Sequence, residues 1–241
     1  IEKFSFANEG TNSVTSATLI GGRNYMSNHN NADYAFNGGG AGFASGTSGP
    51  VIKLSTVNKF AFASETDEVE HCSLTGSTEN PLANSCTGVT SGTDGYVSAY
   101  TSYTSAAGGG PSNVDDIWKF SLSSGSQAQI VSQLTQMRGY AAGSSSETYG
   151  FYHGGNHVSN FDTIDSFLFS SESTTADHGN LTQARAYMAG SSFTTHGYTA
   201  GGWTSSRTDR IDRFPYSNAS ANASDVGDLT DIRNHVCGTQ Y

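Results

Sequence analysis

The sequence is poor in charge, proline and cysteine, and it has no long apolar run. Charged residues make up 13% of its 241 residues, beside four prolines and three cysteines. Spanning a bilayer takes about 18–20 apolar residues in succession, and no such stretch occurs. We therefore expect no insertion into a membrane.

Basic residues are also scarce. Eleven Lys and Arg stand against 21 Asp and Glu, which gives a formal net charge of −10. No cluster of Lys or Arg offers a local exception, so a phosphate backbone would be repelled. Nucleic acid is thus not an expected partner.

The few cysteines leave two interpretations open. Cys72, Cys86 and Cys237 do not form a disulfide framework, and no C-x-x-C spacing indicates zinc. Cys72 and Cys86 could form a disulfide across one loop, which would indicate an oxidising compartment. Equally, all three could be free thiols in small apolar sites.

Glycine and aromatic residues, by contrast, are abundant. The chain contains 29 glycines, and aromatic residues reach 11%. Such a composition, with many Ser, Thr and Asn, is typical of short strands joined by tight turns. The expected fold class is all-β.

A short apolar pattern recurs along the chain. It has an apolar residue at positions one, four and six, which fits the period of a strand. Its copies are Ile1–Phe6, Val57–Phe62, Ile117–Leu122, Ile164–Phe169 and Ile211–Tyr216.

Other segments recur in register with this pattern. A Leu follows each copy, and an Arg follows four of them; an aromatic strand ending in paired glycines comes next. The leucines are Leu19, Leu74, Leu134, Leu181 and Leu229; the arginines are Arg23, Arg138, Arg185 and Arg233; the paired glycines end segments 36–40, 151–155 and 198–202, with Gly108–Gly110 in the second copy. The period is roughly 47–60 residues, with four strands in each unit.

This repeat resembles the kelch family in its aromatic strand with Gly-Gly and in the later Leu-x-x-x-Arg step. The resemblance implies a β-propeller of four-stranded kelch-like blades, about five of them in this chain. We treat residues 1–241 as a single domain. Because no aromatic-Gly-Gly strand remains for the fifth blade, we expect one short blade or, preferably, a piece of a longer array that is incomplete at both ends.

The repeated arginines would form a ring near the propeller axis. Arg23, Arg138, Arg185 and Arg233 are candidate ligands for an anion or a carboxylate sugar. The alternative that we favour is structural: each Arg binds backbone carbonyls or the repeat aspartates, such as Asp165.

Two irregular loops and several aromatic residues indicate where a partner could bind. The loops after Gly40, about 41–56, and after Leu74, to about residue 84, are enlarged and would emerge on one face. Trp203, Tyr100 and Tyr103 are candidate binding residues, since aromatic rings stack on the apolar faces of sugars. Packing between blades is the competing interpretation.

Catalysis has little support in the sequence. The histidines are scattered and no nucleophile elbow occurs, so we predict no catalytic residue, no metal site and no cofactor. A copper-radical oxidase on a kelch-like propeller would need a His/Tyr ligand set, and no spacing selects one. The protein is therefore expected not to be an enzyme.

The segments 196–202 and 223–230 resemble kelch-type repeats in structural proteins of marine tailed phages. That resemblance implies a virion or tail-fibre component, present in multiple copies, that contacts other virion proteins or host surface glycans. The alternative is a secreted kelch-type propeller that binds protein or glycan partners, which the sequons at Asn180, Asn218 and Asn222 would suit. Both place the protein on a virion or outside the cell.

Overall fold

A computed structural model describes residues 2–3, 14–15, 19, 23–45, 48–64, 66–74, 84–100, 115–173, 175–217 and 220–238. Only the backbone is described for residues 2–3, 14–15, 43–45, 48–53, 84 and 99–100. Within these ranges the regular structure consists of strands, and no helix is long and apolar enough to cross a membrane.

The described strands are short, as the glycine-rich composition predicts. In chain order they are β1 (Glu2–Lys3), β2 (Val14–Thr15), β3 (Arg23–Asn24), β4 (Ser27–Asn30), β5 (Tyr34–Gly38), β6 (Ala41–Ser45), β7 (Ser48–Lys53), β8 (Thr56–Ala61), β9 (Val69–Ser73), β10 (Asn84–Thr90), β11 (Asp94–Tyr100), β12 (Asp116–Ser121), β13 (Gln129–Gln133), β14 (Ala142–Ser145), β15 (Tyr149–His153), β16 (Thr163–Leu168), β17 (Ala176–Asn180), β18 (Ala189–Ser192), β19 (His196–Ala200), β20 (Thr208–Pro215) and β21 (Ser224–Arg233).

Four sheets of four antiparallel strands form the blades of a β-propeller. Blade 1 contains β4, β5, β8 and β9; blades 2, 3 and 4 contain β10–β13, β14–β17 and β18–β21. The first strands of successive blades are neighbours, β4 beside β10, β10 beside β14 and β14 beside β18. They therefore line the axis, and the all-β propeller prediction is confirmed.

The recurrent Phe of the Ile-x-x-Phe pattern has a definite place in each blade. Phe167 on β16 lies directly opposite Gly150 on β15, and a Cβ on that glycine would come within 2.5 Å of the Phe167 ring. Phe120 and Phe214 lie opposite Gly95 and Gly197 in the same way. In blades 2, 3 and 4 the glycine of the second strand thus leaves room for the ring on its neighbour, whereas Ala35 lies opposite Phe60 in blade 1.

A register shift recurs between the third and fourth strands. In blade 3 it falls between Ile164 and Asp165, and blades 1, 2 and 4 have it at the same place. Because of this irregularity two successive residues, Ile164 and Asp165, are both buried, which regular alternation would not allow. The shift therefore places the Asp165 carboxylate in the interior of the protein.

Apolar side chains pack in layers between adjacent blades. Phe36 and Val57 of blade 1 pack with Val97 and Trp118 of blade 2. The next two layers join blades 2 and 3 and blades 3 and 4; their members are Val89, Tyr96, Ile117, Leu134, Tyr152 and Phe167, and then Ala142, Phe151, Ile164, Leu181, Met188 and Phe214. Each blade thus depends on its neighbour for half of its core.

Parts of a fifth blade complete the ring. Gly238 approaches the backbone of Gly190 on β18, as Gly190 approaches Gly143 on β14, so residues 236–238 lie at a first-strand position. β1 pairs with β2 in a separate two-stranded sheet, and β1 holds the third-strand position of the repeat. The prediction of about five blades is therefore confirmed.

Candidate functional site

One face of the propeller carries the Gly-Gly turns and the starts of the first strands; we call it the Gly-Gly face. Two isolated bridges show that these segments meet, Gly139 with Asn156 and Ala186 with Trp203. The loops that follow the second and fourth strands emerge here. Because the arginine segments lie just before the first strands, not within them, they belong to this face as well.

The paired glycines are required by backbone shape and by close approach. Gly201 and Gly202 have φ of 66° and 113°, and the other turns are similar. A Cβ on Gly202 would lie 2.8 Å from the carbonyl oxygen of Ala186. These turns are therefore structural, as the sequence predicted.

Two of the predicted anion-binding arginines are not available to a ligand. The side chains of Arg138 and Arg185 are fully buried, and each forms an ion pair with an aspartate of its own blade: Arg138 Nη2 lies 3.1 Å from Asp165 Oδ2, and Arg185 Nη1 lies 3.2 Å from Asp212 Oδ2. The anion-site prediction is wrong for these two, and the structural alternative is correct for them.

Each buried pair also fixes a neighbouring segment. Arg138 Nη2 donates to the carbonyl of Tyr152 at 3.2 Å, while the backbone N and Oγ1 of Thr135 donate to Asp165 at 2.8 and 2.6 Å. The Asp165 carboxylate, on the third strand of blade 3, therefore holds both Arg138 and the turn that follows the fourth strand of blade 2. Arg185 and Asp212 repeat this arrangement in blade 4.

Blade 1, which contains Arg23, lacks such an aspartate. Asn58 stands in blade 1 where Asp165 stands in blade 3, and it binds Glu68. Arg23 is partly buried, and among the described residues its Nε and Nη1 have no hydrogen-bond partner. Burial lowers the pKa of Arg23, partly offset by the charge of Glu68. Arg233 is exposed, with no ion pair or hydrogen bond to its guanidinium among the described residues.

Four aromatic rings converge where the axis meets the Gly-Gly face. They belong to Tyr25, Tyr140, Tyr187 and His235, each two residues after a repeated Arg, and we call them the axial cluster. Ring centroids are 4.3 Å apart for Tyr140–Tyr187 and for Tyr187–His235, 5.5 Å for Tyr25–Tyr140 and 5.9 Å for Tyr25–His235. The four rings thus close a circle around the axis.

An unusual backbone conformation aims these side chains at the axis. Tyr25, Tyr140, Tyr187 and His235 have φ between 54° and 60°, and Ser85, which holds the same position in blade 2, has φ of 58°. The amide of Tyr187 donates to the carbonyl of Tyr140 at 3.0 Å, and that of His235 to Tyr187 at 2.9 Å. Each of the five blades therefore has one residue with a left-handed backbone. In a non-glycine residue this conformation costs free energy, so the surrounding structure must hold it in place.

The axial cluster remains open to solvent on its outer side. Tyr25 is 39% exposed, His235 is exposed, and Tyr140 and Tyr187 are partly exposed. Burial raises the pKa of Tyr187, and the neighbouring Tyr140 and Tyr25 add to the effect. The three phenol rings and the imidazole thus lie close together at the surface.

Trp203 lies at the edge of the cluster. It directly follows Gly202, its backbone pairs with Ala186, and its side chain is 38% exposed. The side-chain amide of Asn160 from the adjacent blade donates to the carbonyl oxygens of Trp203 and Thr204, both at 3.0 Å. Of the other predicted aromatic residues, Tyr100 ends β11 with only its backbone described, and Tyr103 lies outside the described residues.

The enlarged loop after Gly40 is a β-hairpin. β6 pairs with β7, and β3 pairs with β6 through Arg23–Gly42 and Asn24–Ala41. An irregular loop was the prediction here, and the hairpin corrects it. It stands beside Tyr25 on the Gly-Gly face. The second enlarged loop, after Leu74, lies largely outside the described residues.

The four buried histidines bond to groups of the next blade; they are His29, His71, His153 and His178. His153 is fully buried, with its Nδ1 2.6 Å from Thr199 Oγ1 in the next blade. Burial lowers its pKa to about 3, and Arg185 and Arg138 add to the effect. The described residues include no group of three or more His, Cys, Asp or Glu that could hold a metal ion.

The tentative disulfide is not formed in the structure. Cys72 and Cys86 are free, and both are buried in the layer between blades 1 and 2. Burial raises the pKa of each thiol to about 12. The alternative interpretation, small apolar residues with inert thiols, describes both sites.

Sequence reasoning missed the axial cluster. Its signal was present, because an aromatic residue stands two places after each of the four arginines. A two-residue spacing in an irregular segment does not predict where a side chain points. The left-handed backbone at these positions turns the four rings toward one point. Together with Trp203, the cluster forms the aromatic surface of this face.

Comparison with known proteins supports the fold. No protein-family model matches the sequence, and no curated protein matches it. Among solved structures the chain is similar to the protein described as "Structure of YjhT", with a TM-score of 0.72 at 11% sequence identity, over 90% of this chain and 74% of that one. At this identity the likeness concerns architecture alone: the chain folds as a β-propeller of about five blades.

Proposed function

We propose that this propeller is a non-enzymatic adhesion or assembly module that binds surface glycans or other surface proteins through its Gly-Gly face. The observation that carries the proposal is the axial cluster, four converging and solvent-accessible aromatic rings with Trp203 beside them. A soluble surface rarely keeps aromatic residues grouped in this way without a partner.

The chemistry of the face suits carbohydrate. Tyr and Trp rings present flat apolar surfaces for the faces of sugar rings, while Asn156 and Asn160 add polar groups nearby. Arg207 and Arg233 are exposed on the same side of blade 4. The Gly-Gly face therefore combines stacking surfaces with hydrogen-bond donors, as shallow sugar sites do.

The setting that we propose is a particle surface, in the first place a phage virion or tail fibre. Support comes from the resemblance of segments 196–202 and 223–230 to phage kelch-type repeats. A single shallow site binds weakly, and several copies on one particle would supply avidity. A secreted propeller with the same face is the alternative setting.

Glycan binding is best tested with a multimerised form of the protein. We expect the tetramerised wild type to bind a subset of a glycan array, and Tyr25→Ala and Trp203→Ala each to reduce the signal at least fivefold. Phe193→Ala is the matched control, because Phe193 is 63% exposed but lies in a turn of the opposite face. Equal loss in all three variants would contradict the proposed face.

Location and chemistry are tested separately. Mass spectrometry of purified particles should find the chain in the virion, whereas a cytosolic location would overturn the adhesion proposal. Turnover of a sugar by the protein with a bound metal would overturn the non-enzymatic part, whichever face binds.

A further inference from the structure

Two tyrosines of adjacent blades are in direct contact at the axis, and we call them the axial pair. The ring centroids of Tyr140 in blade 3 and Tyr187 in blade 4 are 4.3 Å apart, and the ring planes differ by 39°. The backbone joins the two residues as well, since the amide of Tyr187 donates to the carbonyl of Tyr140 at 3.0 Å. Their relative position is therefore fixed by the main chain and not by the side chains alone.

The hydroxyl groups of the axial pair also meet. Burial raises the pKa of Tyr187 most, the neighbouring Tyr140 and Tyr25 add to the effect, and a side-chain hydrogen bond with Tyr140 contributes as well. In a phenol the two ortho carbons flank the carbon that bears the hydroxyl. The ortho carbons of the two rings therefore lie at the same edge of the pair.

The axial pair is held in place and is accessible from the Gly-Gly face. Tyr140 and Tyr187 have φ of 56° and 60°, a conformation that the surrounding structure must enforce, so neither ring turns away freely. Both side chains are partly exposed. A small oxidant in solution thus reaches rings that are already in contact with each other.

The other members of the axial cluster are less suited to react with these rings. Tyr25 meets Tyr140 edge-on, with centroids 5.5 Å apart and planes 81° apart. His235 lies 4.3 Å from Tyr187, but an imidazole is much harder to oxidise by one electron than a phenol. Radical coupling needs two phenols in contact, which the axial pair provides.

Tyrosines elsewhere in the fold lack either access or a partner. Tyr96 and Tyr152 are 1% and 0% exposed, so an oxidant in solution does not reach them. Tyr149 is 37% exposed, but the ring 6.2 Å from it belongs to a phenylalanine. Access and contact with a second phenol come together in the axial pair.

We propose that the axial pair is an oxidative crosslinking site, where a one-electron oxidant joins Tyr140 and Tyr187 through a carbon–carbon bond between their rings. The resulting dityrosine links blade 3 to blade 4 at the axis. Cys72, Cys86 and Cys237 are free thiols, so no disulfide supplies such a link. The crosslink does not depend on glycan binding.

The reaction balances with two one-electron steps. Each ring loses an electron to the oxidant and its hydroxyl proton to solvent, which leaves two phenoxyl radicals with spin on their ortho carbons. The radicals combine in one carbon–carbon bond, and the hydrogen on each bonded carbon then moves to the phenol oxygen. Two electrons and two protons leave in total; with a peroxidase they reduce one hydrogen peroxide to two waters.

Mass spectrometry of the oxidised protein tests the bond. The probe is tris(bipyridine)ruthenium(III), two equivalents for each intact protein, with Cys237 alkylated beforehand because it is exposed. Trypsin cuts after Arg138, Arg185 and Arg207, so the two tyrosines fall in peptides 139–185 and 186–207. We expect these two peptides to be joined, with a mass two hydrogen atoms below their sum, and fragmentation to locate the bond at the axial pair.

Two conservative variants separate the axial pair from other tyrosines. Tyr187→Phe keeps the ring, and it should lower the yield of joined peptide at least about tenfold, because phenylalanine has no hydroxyl proton to lose. Tyr149→Phe is the matched control: Tyr149 lies in the same peptide and is exposed, and its loss should leave the yield unchanged. Equal yields from both variants would overturn the proposal.

Thermal unfolding tests whether the bond joins the blades. A covalent link restricts the unfolded chain, so the melting temperature of the crosslinked protein should rise by roughly 5–15 °C. Tyr187→Phe, treated in the same way, should show no rise. A link through Tyr25 or His235, products between molecules alone, or a crosslink without a rise in melting temperature would each contradict this assignment.

Discussion

Arg138 and Arg185 show how one residue type can look functional in a sequence and be structural in the fold. Both recur with the repeat and both are cationic, yet each is fully buried against an aspartate. Removing two such charges from water is costly, and the pair is maintained because the carboxylate also binds a threonine and the guanidinium a carbonyl. The arrangement stabilises the fold because it holds three segments together, and not through the ion pair alone.

Removing one partner of a buried ion pair should therefore lower the free energy of unfolding far more than removing one partner of an exposed pair. We expect Asp165→Asn to lower the free energy of unfolding by about 3–5 kcal/mol, because Arg138 keeps its buried charge. Asp225→Asn is the matched control: Asp225 Oδ2 lies 2.7 Å from Arg210 Nη1, with both side chains around 40% exposed, and its loss should cost below about 1 kcal/mol. Urea denaturation measures both; similar losses would contradict this account.

The three cysteines should differ sharply in reactivity. Cys237 is exposed, while burial raises the pKa of Cys72 and Cys86 to about 12. At pH 8 we expect one thiol to react quickly with a disulfide reagent in the native protein, and three after unfolding without reductant. A final count of one would instead show that Cys72 and Cys86 are bridged.

At the scale of the strand and turn, the second glycine of each pair lets the turn approach the arginine segment of its own blade. Gly202 lies under Met188 and beside the Ala186 carbonyl at a φ of 113°. We expect Gly202→Ala to cost about 2–4 kcal/mol in urea denaturation, from backbone strain together with the contact of the new Cβ.

Gly92→Ala serves as the control for that substitution. Gly92 lies in a turn where a Cβ would meet nothing within 4 Å, so the change should be nearly neutral. A neutral Gly202→Ala would show that the turn can relax, and that the glycines are not required there.

These elements were largely predictable from the sequence, and the exceptions have physical reasons. The segments Ile117–Leu122 and Ile164–Phe169 are strands because their apolar period is two, and the Gly-Gly segments end strands because only glycine fits there. The hairpin β6–β7 was not predictable, since its glycine-rich stretch does not alternate clearly. Nor was the axial cluster, whose direction depends on a left-handed backbone at Tyr25, Tyr140 and Tyr187.

At the scale of the whole molecule, buried histidines in the layers between blades determine how the stability of the propeller changes at acidic pH. His29 bonds to Val89 across blades 1 and 2, and His153 to Thr199 across blades 3 and 4. Burial lowers the pKa of His29 to about 4 and that of His153 to about 3. Below pH 6.5 the unfolded chain binds protons that the folded chain excludes, so stability falls as the pH drops from about 6.5 toward these values.

His29 and His153 each contribute a loss of about 1.4 kcal/mol per pH unit in that window. Between pH 6 and 4.5 we expect His153→Asn to flatten the pH dependence of the unfolding free energy by about that slope, although it destabilises the protein at pH 7. Phe193→Ala, an exposed position with no titratable group, should leave the slope unchanged. The same slope for wild type and His153→Asn would show that His153 is protonated in the folded state.

The circle of rings at the axis also has a kinetic consequence. Blades 2–4 are each built from strands that follow one another in the chain, and blade 1 differs only by the inserted hairpin β6–β7; such local pairings cost little loop entropy. The contact between Tyr25 and His235 joins nearly opposite ends of the chain, so we infer that it forms after the transition state for folding. Tyr25→Ala should then accelerate unfolding in stopped-flow measurements and leave the folding rate almost unchanged. On this account the contacts among the axial aromatic residues slow the unfolding of the propeller and have little effect on how fast it folds.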